Sequence, residues 1–247
     1  MTWRNIIISS IALALAISGC GEDSSTGIPG EEPDTMVTTF RDGVSPFPSY
    51  RGTRDAVIKD APAEALWNLN WGGMESDTIG SIQIESGRYQ RRLLVRMDIS
   101  EISACQEVLN AELTLHINPV MSDSVIFRVF RAVVPENVPD HWTEGEDQGQ
   151  NKTGVSWQYA TVATPWDNEG GDYLTPYLDS VYIGGDSTVT FSLPPSMVED
   201  WIKNPLYNDG VLIKSDYLSG GYKIVYMREN SRPDLRPELR ISYLGFG

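Results

Sequence analysis

The stretch from Arg92 to Ser100, which reads Arg-Leu-Leu-Val-Arg-Met-Asp-Ile-Ser, places an apolar side chain at every second position. In an extended chain one side then carries Leu93, Val95, Met97 and Ile99, and the other carries Arg92, Leu94, Arg96 and Asp98. A period of two is the pattern of a β-strand with one buried face. The stretch therefore predicts a strand whose second face presents Arg92 and Arg96.

The same alternation recurs on both sides of this strand. Further strands are predicted at 113–117, 125–129, 188–193, 222–226 and 239–243, and shorter ones at 56–59, 79–85 and 210–215. In the 222–226 strand the apolar face is assigned to Tyr222, Ile224 and Tyr226. Gly-rich turns separate the strands, and many strands with one polar face each imply two packed sheets. We predict an all-β fold, a jelly-roll-like antiparallel β-sandwich.

One short helix is predicted near residue 196. Ser196 and Glu199 have the spacing of a capping box, and Met197 and Trp201 lie one turn apart on one side. Pro205 ends the pattern. We expect this helix to close one end of the sandwich with Trp201.

The N-terminus has the layout of a secretory signal peptide over residues 1–19. Arg4 precedes an apolar run at 6–17, and Ser18 and Gly19 precede Cys20. The run is shorter than the roughly 20 residues that a membrane-spanning helix needs. Its end resembles the lipobox of bacterial lipoproteins, in which Cys20 would be lipidated and become the mature N-terminus.

Residues 20–35 are predicted to be a flexible acidic tether, because they are rich in Gly, Ser, Pro and acidic residues. Residues 36–247 are assigned to a single β-sandwich domain. Gly21, rather than an aspartate, follows the predicted lipid, which favours the outer membrane over the inner membrane. We expect a lipid-anchored protein of the cell envelope that contacts the membrane through its N-terminal lipid.

Charge and cysteine content exclude several classes of protein. The formal net charge is −15, which repels nucleic acid, so no nucleic-acid partner is expected. Besides Cys20 the chain has one cysteine, Cys105, so a disulfide framework within the mature chain is excluded, and Cys105 is expected to be a small buried apolar residue.

A series of short motifs runs along the chain in a recognisable order. They are Asp55-Ala56-Val57-Ile58, Asn70-Trp71-Gly72, the strand at 92–100, Ala111-Glu112-Leu113-Thr114-Leu115, Trp142-Thr143-Glu144-Gly145, Ser156-Trp157-Gln158, Gly170-Gly171-Asp172, 210–215, Arg228-Glu229-Asn230 and Arg236-Pro237-Glu238-Leu239. Over residues 54–244 this order resembles the DNRLRE domain family, which is related to archaeal disaggregatase repeats and to a class of carbohydrate-binding modules. The resemblance implies a jelly-roll-like sandwich on a secreted or surface protein, in a family of often non-catalytic modules, some of which bind acidic polysaccharide.

Catalysis has little support in the sequence. The chain has two histidines, His116 and His141, and lacks a Gly-x-Ser-x-Gly elbow, a His-Glu-x-x-His pair and a phosphate-binding loop. We therefore expect no enzymatic activity. A structural calcium ion is a candidate cofactor, and its possible oxygen donors are Asp55, Asp98, Glu144 and Asp172.

Sugar binding has more support in the sequence than catalysis. Aromatic side chains in polar loops can stack on sugar rings, and arginines can hold carboxylates with two parallel hydrogen bonds. The predicted carbohydrate-binding residues are Trp67, Trp71, Arg92, Arg96, Trp166 and Tyr173. The alternatives are loop tryptophans that pin their own loops and arginines that pair with acidic residues on neighbouring strands.

The sequence thus predicts a lipid-anchored β-sandwich that binds polysaccharide without altering it. A surface structural or adhesion protein that binds another envelope protein is the alternative, and a polysaccharide-degrading enzyme is the third hypothesis. Which glycan or protein is bound, and which way the domain faces, stay open at this point.

Overall fold

Twelve β-strands and one α-helix form the regular structure of the residues that the computed structural model describes, namely 34–119, 124–138, 140–149, 153–216 and 221–245. The strands are β1 (Asp34–Phe40), β2 (Thr53–Lys59), β3 (Ser76–Ile84), β4 (Gly87–Met97), β5 (Val108–His116), β6 (Val125–Val133), β7 (Asp172–Tyr173), β8 (Asp179–Ile183), β9 (Thr188–Leu193), β10 (Val211–Ser215), β11 (Gly221–Tyr226) and β12 (Glu238–Gly245). The helix α1 spans Pro195–Lys203, and 3-10 turns lie at Glu64–Leu66, Pro205–Tyr207 and Pro233–Leu235.

The N-terminal predictions fall mostly outside this range. The predicted signal peptide, Cys20 and all but the last two residues of the predicted tether lie outside the described residues. Strand β1 begins at Asp34, two residues before the predicted start of the domain at 36. Within the described ranges, no helix has the length and apolar character needed to span a bilayer.

Two antiparallel sheets make up the fold. The first has the strand order β1-β12-β5-β9. The second has the order β11-β3-β4-β10-β6-β7, and in addition β2 pairs with β4 and β8 pairs with β6. The chain passes between the sheets repeatedly, for example from β4 to β5 and from β5 to β6. The predicted all-β antiparallel sandwich with one short helix is confirmed.

The main core lies between the two sheets, on the faces that the alternation predicts. Leu93 and Val95 of β4 meet Leu113, Phe191 and Ile241 of the first sheet in one buried cluster. Complete burial of a side chain of this size contributes about 1.5–3 kcal/mol relative to exposure. This layer fixes which residues of β4 face outward, and Arg92 and Arg96 are among them.

A second apolar core covers the outer face of the eight-stranded sheet. A covering segment, residues 134–138, 140–149 and 153–173, packs three tryptophans against this face. The buried members of this core are Ala56, Ile58, Leu94, Ala132, Val138, Trp142, Val155, Trp157, Ala160, Trp166 and Leu212. The sandwich therefore has three layers in this region, and the sheet face between Arg92 and Arg96 is closed to solvent.

Strand β11 turns the opposite face to the core from the one predicted. Lys223 and Val225 are buried, whereas Tyr222, Ile224 and Tyr226 are partly exposed. The Lys223 ammonium donates a hydrogen bond from Nζ to the carbonyl oxygen of Gly184 at 2.5 Å, which compensates part of the cost of burial. The predicted face was wrong because a lysine occupies a core position, where the period-two pattern expects an apolar residue.

The helix is present, but its predicted cap is wrong. α1 begins at Pro195, so Ser196 lies inside the first turn, and no side chain caps the N-terminus. Met197 and Trp201 are buried, as predicted. Glu199 accepts a hydrogen bond from the backbone N–H of Val108 at 3.1 Å, and this bond joins the helix to β5.

The exposure of Cys105 also differs from the prediction. The residue lies in the connection between β4 and β5, where it is exposed. The expectation of a small buried residue is therefore wrong.

Candidate functional site

Two clefts open on either side of the covering segment. The first, which we call the Arg92 cleft, has a volume of about 480 Å³ and is lined by Arg92, Glu169, Tyr173 and Thr175 together with parts of the 167–172 loop. The second, the Arg96 cleft, contains Arg96 at the other end of the covered sheet face. Both arginines project from the outer face of β4, yet the structure places them in separate openings.

Arg92 is held in place by the covering segment. Its Nη1 donates a hydrogen bond to the carbonyl oxygen of Gly170 at 2.6 Å, and its guanidinium carbon lies 4.6 Å from the ring centroid of Trp157. Gly170 has a φ of +83°, and a Cβ there would lie 2.5 Å from Nη1, so this approach requires glycine. Burial lowers the pKa of Arg92, and its Nε is buried without a hydrogen-bond partner.

The floor loop of the Arg92 cleft is organised by Asp172. Its carboxylate accepts hydrogen bonds from the backbone N–H groups of Asp167 and Asn168 at 2.8 and 2.9 Å. The side-chain amide of Asn168 adds a third bond at 2.8 Å. Asp172 therefore shapes the loop, and its oxygens are already used by donors of the protein.

Tyr173 forms the aromatic wall of the same cleft. Its ring packs on Phe130 with centroids 4.7 Å apart, and its hydroxyl oxygen accepts a hydrogen bond from Nζ of Lys214 at 2.6 Å. Tyr177 continues the aromatic surface: it is 48% exposed, contacts Phe130 edge-on at 6.3 Å and lies 5.2 Å beneath the Arg128 guanidinium. An aromatic row with cations along it can accept the C–H face of a sugar ring and bond its hydroxyl groups.

The three predicted tryptophans lie apart from this cleft. Trp166 is 6% exposed, and its Nε1 donates a hydrogen bond to the carbonyl oxygen of Ser156 at 3.0 Å. Its rings lie in the second core and present no face for a sugar, which removes Trp166 from the candidates. Trp67 is half-buried and donates a hydrogen bond from Nε1 to the carbonyl oxygen of Ala61 at 2.9 Å. This bond anchors its own loop, which is the alternative to sugar binding given above.

Trp71 lines a different, mainly apolar cavity of about 310 Å³ with Leu66, Ile84 and Tyr89. The Lys59 ammonium lies 3.3 Å from the centroid of the Trp71 ring and 2.7 Å from a carboxylate oxygen of Asp77. Burial lowers the pKa of Lys59 to about 8. The predicted residues Trp67, Trp71 and Trp166 therefore do not line one shared groove.

A buried carboxylate cluster lies beneath the Arg96 cleft. Asp55, Glu144 and Glu229 offer carboxylate oxygens that are all within 4.8 Å of one another. Arg228 fills the cluster: its Nε and Nη2 donate to the two oxygens of Glu144 at 3.0 and 2.7 Å, and Nη2 lies 2.5 Å from Glu229. The backbone N–H of Arg228 donates to Asp55 at 2.8 Å.

Burial raises the pKa of all three acids in this cluster, and that of Glu229 rises to about 7. Of the four possible calcium donors, the structure brings together Asp55 and Glu144, while Asp98 and Asp172 lie elsewhere. Arg228 already supplies a cation to these oxygens, so the cluster does not assign calcium ligands, and the calcium ion stays a prediction.

Sequence analysis missed several residues of both clefts. Lys214 donates to the hydroxyl of Tyr173 on the wall of the Arg92 cleft, and Arg54 lies directly opposite Arg96 in the pairing of β2 with β4. A period-two pattern gives the face of each residue, but it does not say which strands pair or in which register.

No protein-family model and no curated protein matches this chain. The resemblance to the DNRLRE family therefore rests on the order of its motifs alone and stays a prediction.

Proposed function

We propose that this chain is a lipid-anchored protein of the cell envelope whose β-sandwich binds polysaccharide without catalysing its conversion. The observation that carries the proposal is the convergence of Arg92 and Tyr173, both predicted sugar-binding residues, in one open cleft of about 480 Å³. The cleft combines a tyrosine ring with a charged donor, and polar loop residues such as Asn168 line it. Clefts with an apolar platform and a few polar groups are typical of ligand sites.

The mechanism is recognition by stacking and hydrogen bonding. One sugar ring would lie on Tyr173 or on the exposed ring of Tyr177, where an aromatic contact is worth about 0.5–1.5 kcal/mol. Arg92, whose guanidinium is fixed by Gly170 and Trp157, would donate to a hydroxyl or carboxylate group. Because both partners are positioned before binding, little ordering entropy is lost.

A glycan array with the purified full-length chain tests the proposal. We expect binding to at least one neutral or acidic polysaccharide, and we expect Tyr173→Ala and Tyr177→Ala to weaken it several-fold. The matched control is Tyr207→Ala, because Tyr207 is 63% exposed on a turn at the opposite end of the covered face. Binding to no glycan, or binding reduced by Tyr207→Ala alone, would contradict the assignment.

A pull-down from envelope extract, run beside the array, addresses the alternative of a structural or adhesion protein. Retention of one protein by the wild-type chain, with no glycan bound on the array, would favour that alternative.

A further inference from the structure

Two arginines face each other directly across neighbouring strands at one end of the covered sheet face. Arg54 of β2 and Arg96 of β4 are register partners in an antiparallel pair, and both lie on the outer face. Like charges in this position repel each other and destabilise a strand pair. An arrangement of this kind needs a compensating negative group nearby.

The protein supplies only part of that compensation. Arg54 Nε lies 3.7 Å from an oxygen of Glu144, and Arg54 Nη1 donates to the carbonyl oxygens of Arg51 and Thr53. Among the described residues, Arg96 forms neither an ion pair nor a hydrogen bond, and its Nε is buried without a partner. A buried guanidinium nitrogen without an acceptor is costly, since it loses hydration without replacement.

The acidic residues around Arg96 are largely occupied by other donors. Glu144 binds Arg228 through both carboxylate oxygens, at 3.0 and 2.7 Å. Asp98 accepts the backbone N–H of Ser100 at 3.0 Å, and Asp209 lies 3.0 Å from Nδ1 of His141. The remaining acid on the cleft wall, Asp140, is exposed.

The space in front of this pair is open and rich in donors. Two adjoining hollows of about 260 and 440 Å³ share Arg54, Arg96 and His141 as lining residues. The exposed side chain of Arg51 lines the first hollow, and so does Trp201, whose Nε1 is buried without a hydrogen-bond partner.

We propose that the Arg54–Arg96 pair binds an oxyanion, that is, a carboxylate, sulfate or phosphate group of a ligand. An oxyanion between the two guanidiniums replaces repulsion by two attractive contacts and supplies the acceptor that Arg96 lacks. Arginine suits this role because its planar fork matches the spacing of two oxyanion oxygens. The net charge of −15 does not prevent binding, because charges farther than about 8 Å are screened at physiological ionic strength. This site is separate from the Arg92 cleft.

Isothermal titration calorimetry of the full-length chain with sulfate, phosphate and glucuronate, in chloride buffer of constant ionic strength, tests the proposal. We expect saturable binding of at least one of them and at least a tenfold loss of affinity in both Arg54→Gln and Arg96→Gln. The control is Arg232→Gln, because Arg232 is exposed and its ion pair with Asp234 lies elsewhere. Glucuronate binding alone identifies a sugar carboxylate as the source, whereas sulfate or phosphate binding alone identifies a tetrahedral anion.

A second readout separates an anion site from a structural role. Without an oxyanion, Arg96→Gln removes the repulsion from Arg54, so its melting temperature should equal or exceed that of the wild type. Addition of the oxyanion should raise the melting temperature of the wild type more than that of the variant. Absence of saturable binding, unchanged affinity in both variants, or a clear loss of melting temperature in anion-free Arg96→Gln would overturn the proposal. Tyr173→Ala should leave anion affinity unchanged, which makes this test independent of the proposed polysaccharide site.

Discussion

The carboxylate cluster around Arg228 allows a quantitative prediction for the variant Arg228→Met. The guanidinium is the cation that balances Glu144 and Glu229, and it joins the covering segment to the end of β11. Methionine retains much of the side-chain volume and removes the charge. The side chain of Glu144 is 7% exposed, so solvent cannot replace the lost partner, and Arg54 remains 3.7 Å away. Breaking a buried pair from one side costs about 3–5 kcal/mol, and we expect the variant to lose about that much at pH 7.5.

The deficit of Arg228→Met should shrink in acid. Burial already raises the pKa of Asp55, Glu144 and Glu229 above their values in an unfolded chain, and loss of the cation raises them further. A group with a raised pKa in the folded state stabilises fully below its unfolded pKa, near 4.3 for glutamate, and this contribution is lost as pH rises through the folded value. We therefore expect the deficit at pH 5 to be less than half of that at pH 7.5.

Urea unfolding followed by tryptophan fluorescence at the two pH values measures this difference. The control is Arg232→Met, because the Arg232–Asp234 pair has side chains that are 68% and 60% exposed, and its loss should leave the free energy of unfolding unchanged. If Arg228→Met unfolds within about 1 kcal/mol of the wild type at pH 7.5, or if its deficit is the same at both pH values, the buried-charge argument fails.

Three further predictions concern stability, pH and the N-terminus. Trp166→Ala should lower the free energy of unfolding by about 3–5 kcal/mol, because it empties the second core, and a near-neutral result in the same urea assay would return Trp166 to the sugar-binding candidates. The melting temperature of the wild type should fall as pH rises from about 4.5 to 7, since the pKa of Glu229 is about 7 in the folded state. Glu229→Gln should make this fall smaller, and identical pH profiles of the two proteins would contradict the prediction. Cys20→Ala should move the protein from the membrane to the soluble fraction, and mass spectrometry of the wild type should find a lipid on Cys20. A peptide that joins Cys20 to Cys105 by a disulfide would refute lipidation, because one sulfur cannot carry both bonds.

Alternation predicted most of the sandwich because the strands of the main core have one apolar and one polar face. Leu93, Leu113 and Phe191 are all buried on the predicted faces. The pattern misassigned β11, where a buried Lys223 occupies a core position and the tyrosines beside it lie partly exposed. Period-two reasoning treats lysine as a solvent residue, and a local partner such as the Gly184 carbonyl oxygen is invisible in the sequence.

The candidate sites were harder to predict because they depend on the covering segment. Trp166 and Tyr173 both lie in polar loop sequence, yet one is buried in the second core and the other lines a cleft. Loop composition does not distinguish a tryptophan that anchors its loop from one that stays on the surface. Likewise, the register that places Arg54 opposite Arg96 joins strands about 40 residues apart in sequence.

The position of Leu94 explains why one strand serves two clefts. Arg92 and Arg96 lie on the same face of β4 and are four residues, or about 13 Å, apart along the strand. Leu94 lies between them in sequence and is fully buried under the covering segment, together with Trp142 and Trp157. A small ligand therefore cannot contact both arginines, and mutations in the two clefts should have additive effects on the binding of small ligands. Non-additive effects on a polymer would then indicate one chain that crosses the covering segment and occupies both clefts at once.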